Sequence, residues 1–328
     1  YKENETLKRV LYLCKSKRIK FFIKQIPSYE ISSGTKYTLE ESLGELMKIA
    51  NREYTGHDAT NFLFELLSTS TSDDAYIIER IIEKDPKIGM GITFINKVFV
   101  DLIEDTKYMG AKSYDIKLVK KLFEKGKKAY SQLKADGRYA AAIIRGGEVE
   151  LESRNGEQTF LTNSKLLSEL ALLNEDVVLT GELLIEGISS KYSGSALRTV
   201  SNGIIASLVD ICGKREERGE VETLSKIAKF EEKHSSDYEK GVITFQEALD
   251  SVTYSVWDCV NVDEYYLGLS KTPYTKRLER VNKLLEKNSL TRVHLIESRL
   301  VNNLSEAFSH FKEMMDKGLE GTILKSTD

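Results

Sequence analysis

Proline, tryptophan, cysteine and histidine are all scarce in this 328-residue sequence, which has 3 prolines, 1 tryptophan, 3 cysteines and 4 histidines. The cysteines are Cys14, Cys212 and Cys259, and no two of them form a C-x-x-C pair. This usage argues against a disulfide framework and against a zinc site. A reducing compartment such as the cytoplasm is therefore expected.

Long apolar runs are missing as well. No stretch approaches the roughly 20 apolar residues that span a bilayer, and no basic-then-apolar leader is present, so we expect no membrane partner. The apolar content of 41% is nevertheless ample for conventional cores, and 328 residues favour two domains over one. The composition predicts a soluble, globular protein.

The net charge of −3 is unevenly divided along the chain. Residues 1–130 carry 23 Lys and Arg against 19 Asp and Glu, a balance of +4, whereas residues 131–328 balance at −7. A basic stripe, residues 8–24, contains no acid and comprises Lys8, Arg9, Lys15, Lys17, Arg18, Lys20 and Lys24. Binding to phosphates explains this stripe better than a solvated helix face, although both are open.

The first 128 residues have the pattern of helices. Thr38-x-x-Glu41 is a capping box, and apolar residues then recur at helical spacing from Leu39 to Ala50. Further helices are predicted near residues 62–67, 77–82 and 92–100. Residues 85–91 contain one proline and two glycines, which indicates a loop between helices.

A second basic run, residues 112–128, is interpreted as the linker between two domains. Beyond it the apolar period changes from helical to alternating, which predicts a sheet domain that starts with a hairpin at residues 145–148. We expect further strands at residues 177–185, 252–260, 293–296 and 321–324, with helices at 166–173 and 306–317. Residues 214–240 are dense in both charges, so we expect a surface helix or a flexible excursion without chemistry there.

The stretch Ser131-Gln132-Leu133-Lys134-Ala135-Asp136-Gly137-Arg138 places a lysine and a carboxylate just before a glycine turn. Lys134 is the candidate nucleophile. Lysine side chains are normally protonated at neutral pH, so covalent lysine chemistry requires desolvation or neighbouring cations. Alone, Lys-x-Asp-Gly would occur by chance in roughly one chain of this length in ten, and a surface hairpin would explain it.

Four more motifs follow in order: Ser153-Arg154-Asn155-Gly156, Thr180-Gly181-Glu182-Leu183, Val256-Trp257-Asp258 and Leu319-Glu320-Gly321-Thr322-Ile323-Leu324-Lys325. In this order and rough spacing the set resembles the nucleotidyltransferase motifs of ATP-dependent DNA ligases. The flanking sequence is most similar to the ligases of T-even-type bacteriophages, over nearly the whole chain. The resemblance implies a multidomain α and α+β protein: an all-helical DNA-binding domain, residues 1–128, and an adenylyltransferase domain of antiparallel sheets flanked by helices, residues 129–328.

The resemblance also implies roles for individual residues. Lys134 would carry AMP in a phosphoramidate bond, Glu182 and Glu320 would bind Mg²⁺ (or Mn²⁺), and Glu182 would also lie near the ribose. The other implied nucleotide contacts are Gln132, Leu133, Arg138, Arg154, Trp257 and Lys325. Gln132 stands where the family often has an acid, and its amide oxygen can still accept a hydrogen bond from the adenine amino group.

Strand alternation gives Trp257 a face shared with Thr253, Ser255 and Cys259, while Val252, Tyr254 and Val256 lie on the other face, which we expect to be the core face. Two positions depart from the family pattern. The family arginine two residues after the glycine is Tyr139 here, with Arg138 one residue earlier. Thr180 replaces the aspartate usual before Gly-Glu-Leu.

The resemblance predicts an ATP-dependent DNA ligase that adenylylates Lys134, transfers AMP to a 5′-phosphate and seals a nick or ends in duplex DNA. Its expected setting is a monomer in the cytoplasm of a bacterial host, with work in replication, repair and recombination. It also implies a Lys-x-Lys motif and an OB-fold domain beyond Asp328, so that the adenylyltransferase domain is incomplete at its C-terminal end. The alternatives are an RNA ligase, a capping-type nucleotidyltransferase, an NAD-dependent ligase and a catalytically inactive DNA-end-binding protein.

Overall fold

The computed structural model describes residues 2–16, 19–23, 25–32, 34–103 and 108–328. The chain forms two compact units, Tyr1–Asp105 and Thr106–Asp328. The boundary between these compact units lies between residues 105 and 106. The predicted boundary between the DNA-binding and adenylyltransferase domains, at 128/129, stays a prediction. Among the described residues, none of the helices combines the length and the apolar character that a membrane span requires.

The described part of the first unit contains helices and no strands. Its helices are α1 Glu5–Lys15, α2 Leu39–Ala50, α3 Gly56–Ser68, α4 Ser72–Ile82 and α5 Ile92–Val98. The predicted capping box begins α2: the Glu41 N–H donates to Thr38 Oγ1 at 3.3 Å, and the Thr38 N–H donates to Glu41 Oε2 at 2.8 Å. Leu43, Leu63 and Ile78 are fully buried in one apolar cluster, because each helix turns its apolar stripe inward.

The basic stripe is only partly visible, since Lys17, Arg18 and Lys24 lie outside the described residues. Lys8 Nζ is 2.6 Å from Glu5 Oε1, and Lys15 Nζ is 3.6 Å from Asp85 Oδ1. Lys20 is exposed, and no ion pair is recorded for it within the described residues. Phosphate binding by the stripe stays a prediction.

The second unit begins before the predicted sheet domain. Helix α6, Ile116–Leu122, falls in the segment that we interpreted as a linker. Leu122 and the following Phe123 pack against a cluster that contains Ala129 and Val301 of the sheet domain. The interpretation of this helix as a linker is therefore wrong, because it packs onto the second unit.

Two sheets form the centre of the second unit. The strands are β1 Ala129–Leu133, β2 Arg138–Arg145, β3 Glu148–Glu152, β4 Gln158–Thr159, β5 Val177–Ile185, β6 Val252–Asn261, β7 Val293–Leu295, β8 Ser298–Val301 and β9 Thr322–Ser326. One sheet has the order β8-β1-β9 and the other the order β4-β3-β2-β5-β6-β7. The strands pair antiparallel except β6 with β7. The predicted hairpin joins β2 to β3.

Helices cover both faces of the larger sheet. They are α7 Lys165–Leu170, α8 Gly194–Arg218, α9 Leu224–His234, α10 Phe245–Asp250, α11 Val262–Leu267 and α12 Tyr274–Asn288. Helix α13, Leu304–Asp316, packs instead against β1, β8 and β9 of the smaller sheet. Ile204 of α8, Phe245 of α10 and Val281 of α12 belong to the main core on one face. Val262 and Tyr265 of α11 cover the other face near β2 and β5.

Residues 214–240 are not a flexible excursion. They include the end of α8 and all of α9, and Phe230 of α9 belongs to the main core while His234 is also buried. The alternative prediction of a surface helix was closer, but it did not include the apolar face of α9, which packs on the main core through Phe230.

Candidate active site

The motif loop, residues 134–137, connects the two sheets, because β1 ends at Leu133 and β2 begins at Arg138. A Cβ atom on Gly137 would lie 2.3 Å from the Leu183 carbonyl oxygen and 2.8 Å from Leu184 Cδ2. Only glycine fits where the loop crosses β5 so closely. The motif loop therefore lies directly against β5 at Gly137.

Lys134 lies at the end of β1 beside the last of the sequence motifs. Its backbone N–H donates to the Gly321 carbonyl oxygen at 2.9 Å, and its Nζ is 2.5 Å from Glu320 Oε1. The pairing of β1 with β9, with Leu133 opposite Thr322, brings the two motifs together. Leu133 itself donates its backbone N–H to the Glu297 carbonyl oxygen at 2.9 Å.

Glu182 approaches the same loop from β5. One carboxylate oxygen accepts the Gly137 N–H at 2.5 Å. Burial raises the pKa of Glu182 to about 7; the Gly137 hydrogen bond lowers it, and the negative charges of Asp136 and Glu320 raise it further. Three carboxylates from separate motifs therefore gather around one lysine.

Gln132, Tyr274 and Lys325 form a polar network beneath the predicted adenine platform. Gln132 is 2% exposed, and its Nε2 donates to Tyr274 Oη at 2.6 Å and to Ser298 Oγ at 2.9 Å. Both amide hydrogens are thus used, so an adenine amino group would have to donate to Oε1, as the sequence predicts. Tyr274 Oη donates to the Trp257 carbonyl oxygen at 2.6 Å.

Lys325 places a second amine close to this network. Its Nζ donates to Tyr274 Oη at 3.3 Å and lies 5.5 Å from the centroid of the Trp257 ring. Burial lowers the pKa of Lys325 to about 8, with Asp258 opposing this shift and Arg277 adding to it. Asp258 is held by Arg277, whose Nε is 2.7 Å from Asp258 Oδ1.

Trp257 lies at a β-bulge. In the pairing of β5 with β6, Thr180 faces Asp258 and Gly181 faces Val256, so Trp257 has no partner. Its side chain is half-buried, and its ring centroid is 6.1 Å from that of Tyr139. The expected core face was right for Val252, Tyr254 and Val256, which are fully buried in the main core.

The bulge changes the alternation beyond Trp257. Cys259, which simple alternation gave to the face of Trp257, belongs instead to the main core with Tyr254 and Val256. That part of the prediction is wrong, because one extra residue in a strand exchanges the faces of all residues after it. All three cysteines are free and buried.

Arg138 and Tyr139 lie on opposite faces of β2. Tyr139 is directly opposite Glu182 in β5, and its ring contacts the Trp257 ring. Arg138 alternates with Ala140 and therefore lies on the face of the main core. The structure brings Tyr139, and not Arg138, to the face that carries Glu182 and Trp257.

Arg154 reaches this region through a chain of aromatic rings. It is exposed in the turn after β3, with its guanidinium 4.1 Å from the centroid of the Tyr108 ring. The Tyr108 ring meets the Tyr139 ring edge-on at a centroid distance of 4.9 Å. Arg154 is thus connected with Trp257 by two intervening rings.

Two residues near the motifs escaped the sequence analysis. Arg198 of α8 forms an ion pair with Asp136 through its Nε, and its Nη1 is 3.7 Å from Glu320 Oε1. Tyr274 begins α12 and joins Gln132 to Trp257, as described above. Neither belongs to a recognised motif, and their partners are distant in sequence, so spacing alone carries no signal for them.

Among the described residues, no group of three His, Cys, Asp or Glu side chains is arranged to hold a metal ion. Glu320 nevertheless offers carboxylate oxygens beside Lys134, and Glu182 offers them beside Gly137 of the same loop. Mg²⁺ is usually held by one or two carboxylates, with water and substrate phosphates completing its octahedron. The donor chemistry of these two residues fits such a cation.

Known proteins share the fold and the sequence pattern of this chain. The solved chain Pmar-Lig_PreS3 shares the fold with a TM-score of 0.64 over 99% of this chain and 68% of that chain, at 18% identity. The family model described as ATP dependent DNA ligase domain matches residues 208–328. The DNA ligase of Enterobacteria phage T4 is 30% identical over 343 residues, which cover 100% of this chain and 67% of that protein.

The chain therefore belongs to the ATP-dependent DNA ligase family. Within the family it is of the T4-like type, since the DNA ligase of Enterobacteria phage T6 is also 30% identical, over 346 residues that cover 100% of this chain and 67% of that protein. The resemblance inferred from the motifs is confirmed.

Proposed function

We propose that this protein seals breaks in duplex DNA in three steps. Lys134 takes AMP from ATP and releases pyrophosphate, the AMP passes to the 5′-phosphate at a nick, and the 3′-hydroxyl displaces it. The observation that carries this proposal is the position of Lys134, whose amine stands 2.5 Å from Glu320 and beside Asp136 and Glu182 at the junction of the two sheets.

The first step, the transfer of AMP to Lys134, depends on proton loss from the amine and on its position. The Lys134 ammonium must lose a proton before its lone pair can attack the α-phosphorus, and Glu320 is the adjacent acceptor. An N–P bond then forms while the bond from the α-phosphorus to the pyrophosphate oxygen breaks. The Gly321 carbonyl and the Gly137 turn hold the loop, so the amine needs little reorganisation to reach the phosphate.

A divalent cation, Mg²⁺ or Mn²⁺, would neutralise the triphosphate when bound, and Glu182 and Glu320 are the proposed ligands. The other nucleotide contacts that we propose follow the network described above. Trp257 would stack on adenine, Gln132 would accept from its amino group, and Arg154 and Lys325 would place positive charge near the phosphates.

Residues 1–128 are proposed to hold duplex DNA. The excess of 23 Lys and Arg over 19 Asp and Glu in residues 1–130 supports this role. The monomeric state, the cytoplasmic location and the roles in replication, repair and recombination stay predictions.

The deciding experiment is the intact mass of the purified protein before and after incubation with ATP and Mg²⁺. The wild type should gain one AMP, and Lys134→Ala should gain none while keeping the wild-type melting temperature, because the exposed amine reacts rather than packs. Lys165→Ala is a matched control, since Lys165 is also an exposed lysine near a carboxylate, with its Nζ 3.9 Å from Asp250.

Two further variants test the carboxylates. Glu182→Ala and Glu320→Ala should slow AMP transfer and raise the Mg²⁺ concentration required. A Lys134→Ala protein that still gains AMP would remove Lys134 as the nucleophile. Wild-type rates for both glutamate variants at limiting Mg²⁺ would remove the proposed ligands.

A further inference from the structure

We propose that Arg198 is a positioning residue of the adenylyl-transfer site, which holds Asp136 and Glu320 in fixed places around Lys134. The inference rests on the proposed function, since it concerns the formation of lysyl-AMP. It assigns a role to a residue of α8 that lies outside the sequence motifs.

The geometry joins one guanidinium to two motifs. Arg198 Nε pairs with Asp136, which follows Lys134 by two residues in the motif loop. Arg198 Nη1 is 3.7 Å from Glu320 Oε1, the same oxygen that is 2.5 Å from Lys134 Nζ. The rigid, planar guanidinium can therefore set the separation of the two carboxylates, which a lysine at the same position could not do with its single charged nitrogen.

The helix that presents Arg198 is firmly anchored. Ile204, Ile205 and Leu208 of α8 are fully buried in the main core. The loop that leads into α8 is tied down as well, because Tyr192 Oη donates to Asp237 Oδ1 at 2.6 Å and the Ser189 N–H donates to the Asp237 carbonyl oxygen at 2.8 Å. Arg198 thus extends from a fixed element toward the motif loop.

The loop needs such an external support. Asp136, Glu182 and Glu320 bring three carboxylates to the motif loop, and Lys134 supplies one positive charge among them. A second cation offsets the repulsion between carboxylates. Without Arg198, Asp136 would shift relative to Glu320. The Lys134 amine would then no longer be aligned with the α-phosphorus of ATP.

Arg198 also supplies what Arg138 does not. The resemblance to the family predicts Arg138 at the nucleotide, but strand alternation puts Arg138 on the face of the main core. Among the described residues, the arginine that forms ion pairs with the carboxylates beside Lys134 is Arg198 of α8.

The test is single-turnover formation of lysyl-AMP at a series of ATP concentrations, on the full chain. Arg198→Ala should lower the rate constant at saturating ATP by about 10- to 100-fold, the scale on which a shift of ~1 Å in a reacting group acts. The half-saturating ATP concentration should change less than about threefold, because Arg198 acts through Asp136 and Glu320 rather than on ATP. Arg198→Lys should recover part of the rate.

Asp136→Asn supplies the coupling measurement. If Arg198 acts through Asp136, the double variant Arg198→Ala/Asp136→Asn should be no slower than the slower single variant. Arg280→Ala is the matched control, since Arg280 Nη2 is 3.2 Å from Glu175 in a comparable partly exposed ion pair on α12, and it should leave the rate unchanged.

Three results would overturn the inference. They are a wild-type rate for Arg198→Ala, a raised half-saturating ATP concentration at an unchanged maximal rate, and a loss of rate that only matches the unfolded fraction in a thermal melt. If instead the wild type gains no AMP at all, the proposed function fails and not this inference alone.

Discussion

Trp257 is the single tryptophan of the sequence, so the fluorescence of this chain reports on one place in the molecule. Its half-buried ring between Tyr139 and Lys325 suits a base platform better than a core position. We expect ATP to quench its emission. Stacking on an aromatic ring is worth roughly 1–3 kcal/mol, so Trp257→Ala should weaken ATP binding about 10- to 100-fold and Trp257→Phe much less.

A core tryptophan would behave differently. Its replacement by alanine would cost several kcal/mol of fold stability, and ATP would leave the emission of the wild type unchanged. Fluorescence titration with ATP and thermal melts of both variants separate the two cases. Unchanged emission at saturating ATP would remove Trp257 from the site.

Arg138 and Tyr139 present the second test at the scale of single residues. Tyr139 shares the face of Glu182 and packs between the rings of Tyr108 and Trp257, while Arg138 lies on the core face. Tyr139→Ala should therefore raise the half-saturating ATP concentration for lysyl-AMP formation by about tenfold, which corresponds to the loss of an aromatic contact of ~1.4 kcal/mol. For Arg138→Ala, the half-saturating ATP concentration should stay within about threefold of the wild-type value.

The opposite result for these two variants would contradict the prediction. If Arg138→Ala impairs lysyl-AMP formation and Tyr139→Ala does not, the arginine reaches the nucleotide despite its place in β2. The turn at Gly137 would then absorb the one-residue departure from the family pattern.

At the scale of elements, the contact between β5 and β6 depends on Gly181. A Cβ atom there would lie 2.3 Å from the Ser255 carbonyl oxygen and 2.8 Å from Tyr254 Cε2, beside the bulge that presents Trp257. Gly181→Ala should destabilise the fold by about 1–3 kcal/mol, since neither the backbone nor the buried tyrosine can move aside cheaply. Urea unfolding followed by circular dichroism measures this loss.

Gly203 provides the matched glycine. It lies in α8, and a Cβ atom there would meet nothing within 4 Å. Gly203→Ala should stabilise the protein by about 0.5–1 kcal/mol, because alanine loses less backbone entropy in a helix. Equal stabilities of the Gly181 and Gly203 variants would show that β5 and β6 approach each other less closely than described.

The whole chain has a net charge of −3, yet residues 1–130 have a net charge of +4, which favours binding to the phosphates of DNA. We expect the full chain to bind nicked duplex DNA with a salt dependence set by this part. If about six phosphates are contacted, the slope of log affinity against log salt concentration should lie near −5. Lys20→Ala, at an exposed lysine of the basic stripe, should reduce this slope by about one unit.

Lys48→Ala is the control for that measurement. Lys48 lies on α2 outside the stripe, with its Nζ 2.8 Å from Glu45 Oε2, so its charge is already paired. Fluorescence anisotropy at several salt concentrations gives both slopes. An affinity that does not depend on salt would mean that the stripe faces solvent and not phosphate.

Much of the fold was determined by local pattern. The capping box at Thr38, helices α2 to α5, strand β5 and the hairpin of β2 and β3 all lie where the sequence predicts them. Helix caps, apolar periodicity and glycine turns depend on residues only a few positions apart, so these features can be predicted from the sequence alone. The motifs likewise identified the family, because their order and spacing are properties of the sequence itself.

Only the tertiary structure decided which of these residues meet. The bulge at Trp257 moved Cys259 to the core face, α6 packed into the second unit, and Arg198 arrived beside Lys134 from a helix without a motif. Each of these results depends on the register between strands or on the packing of a helix that is distant in sequence. Such contacts are chosen by the burial of the whole core, and no short stretch of sequence records them.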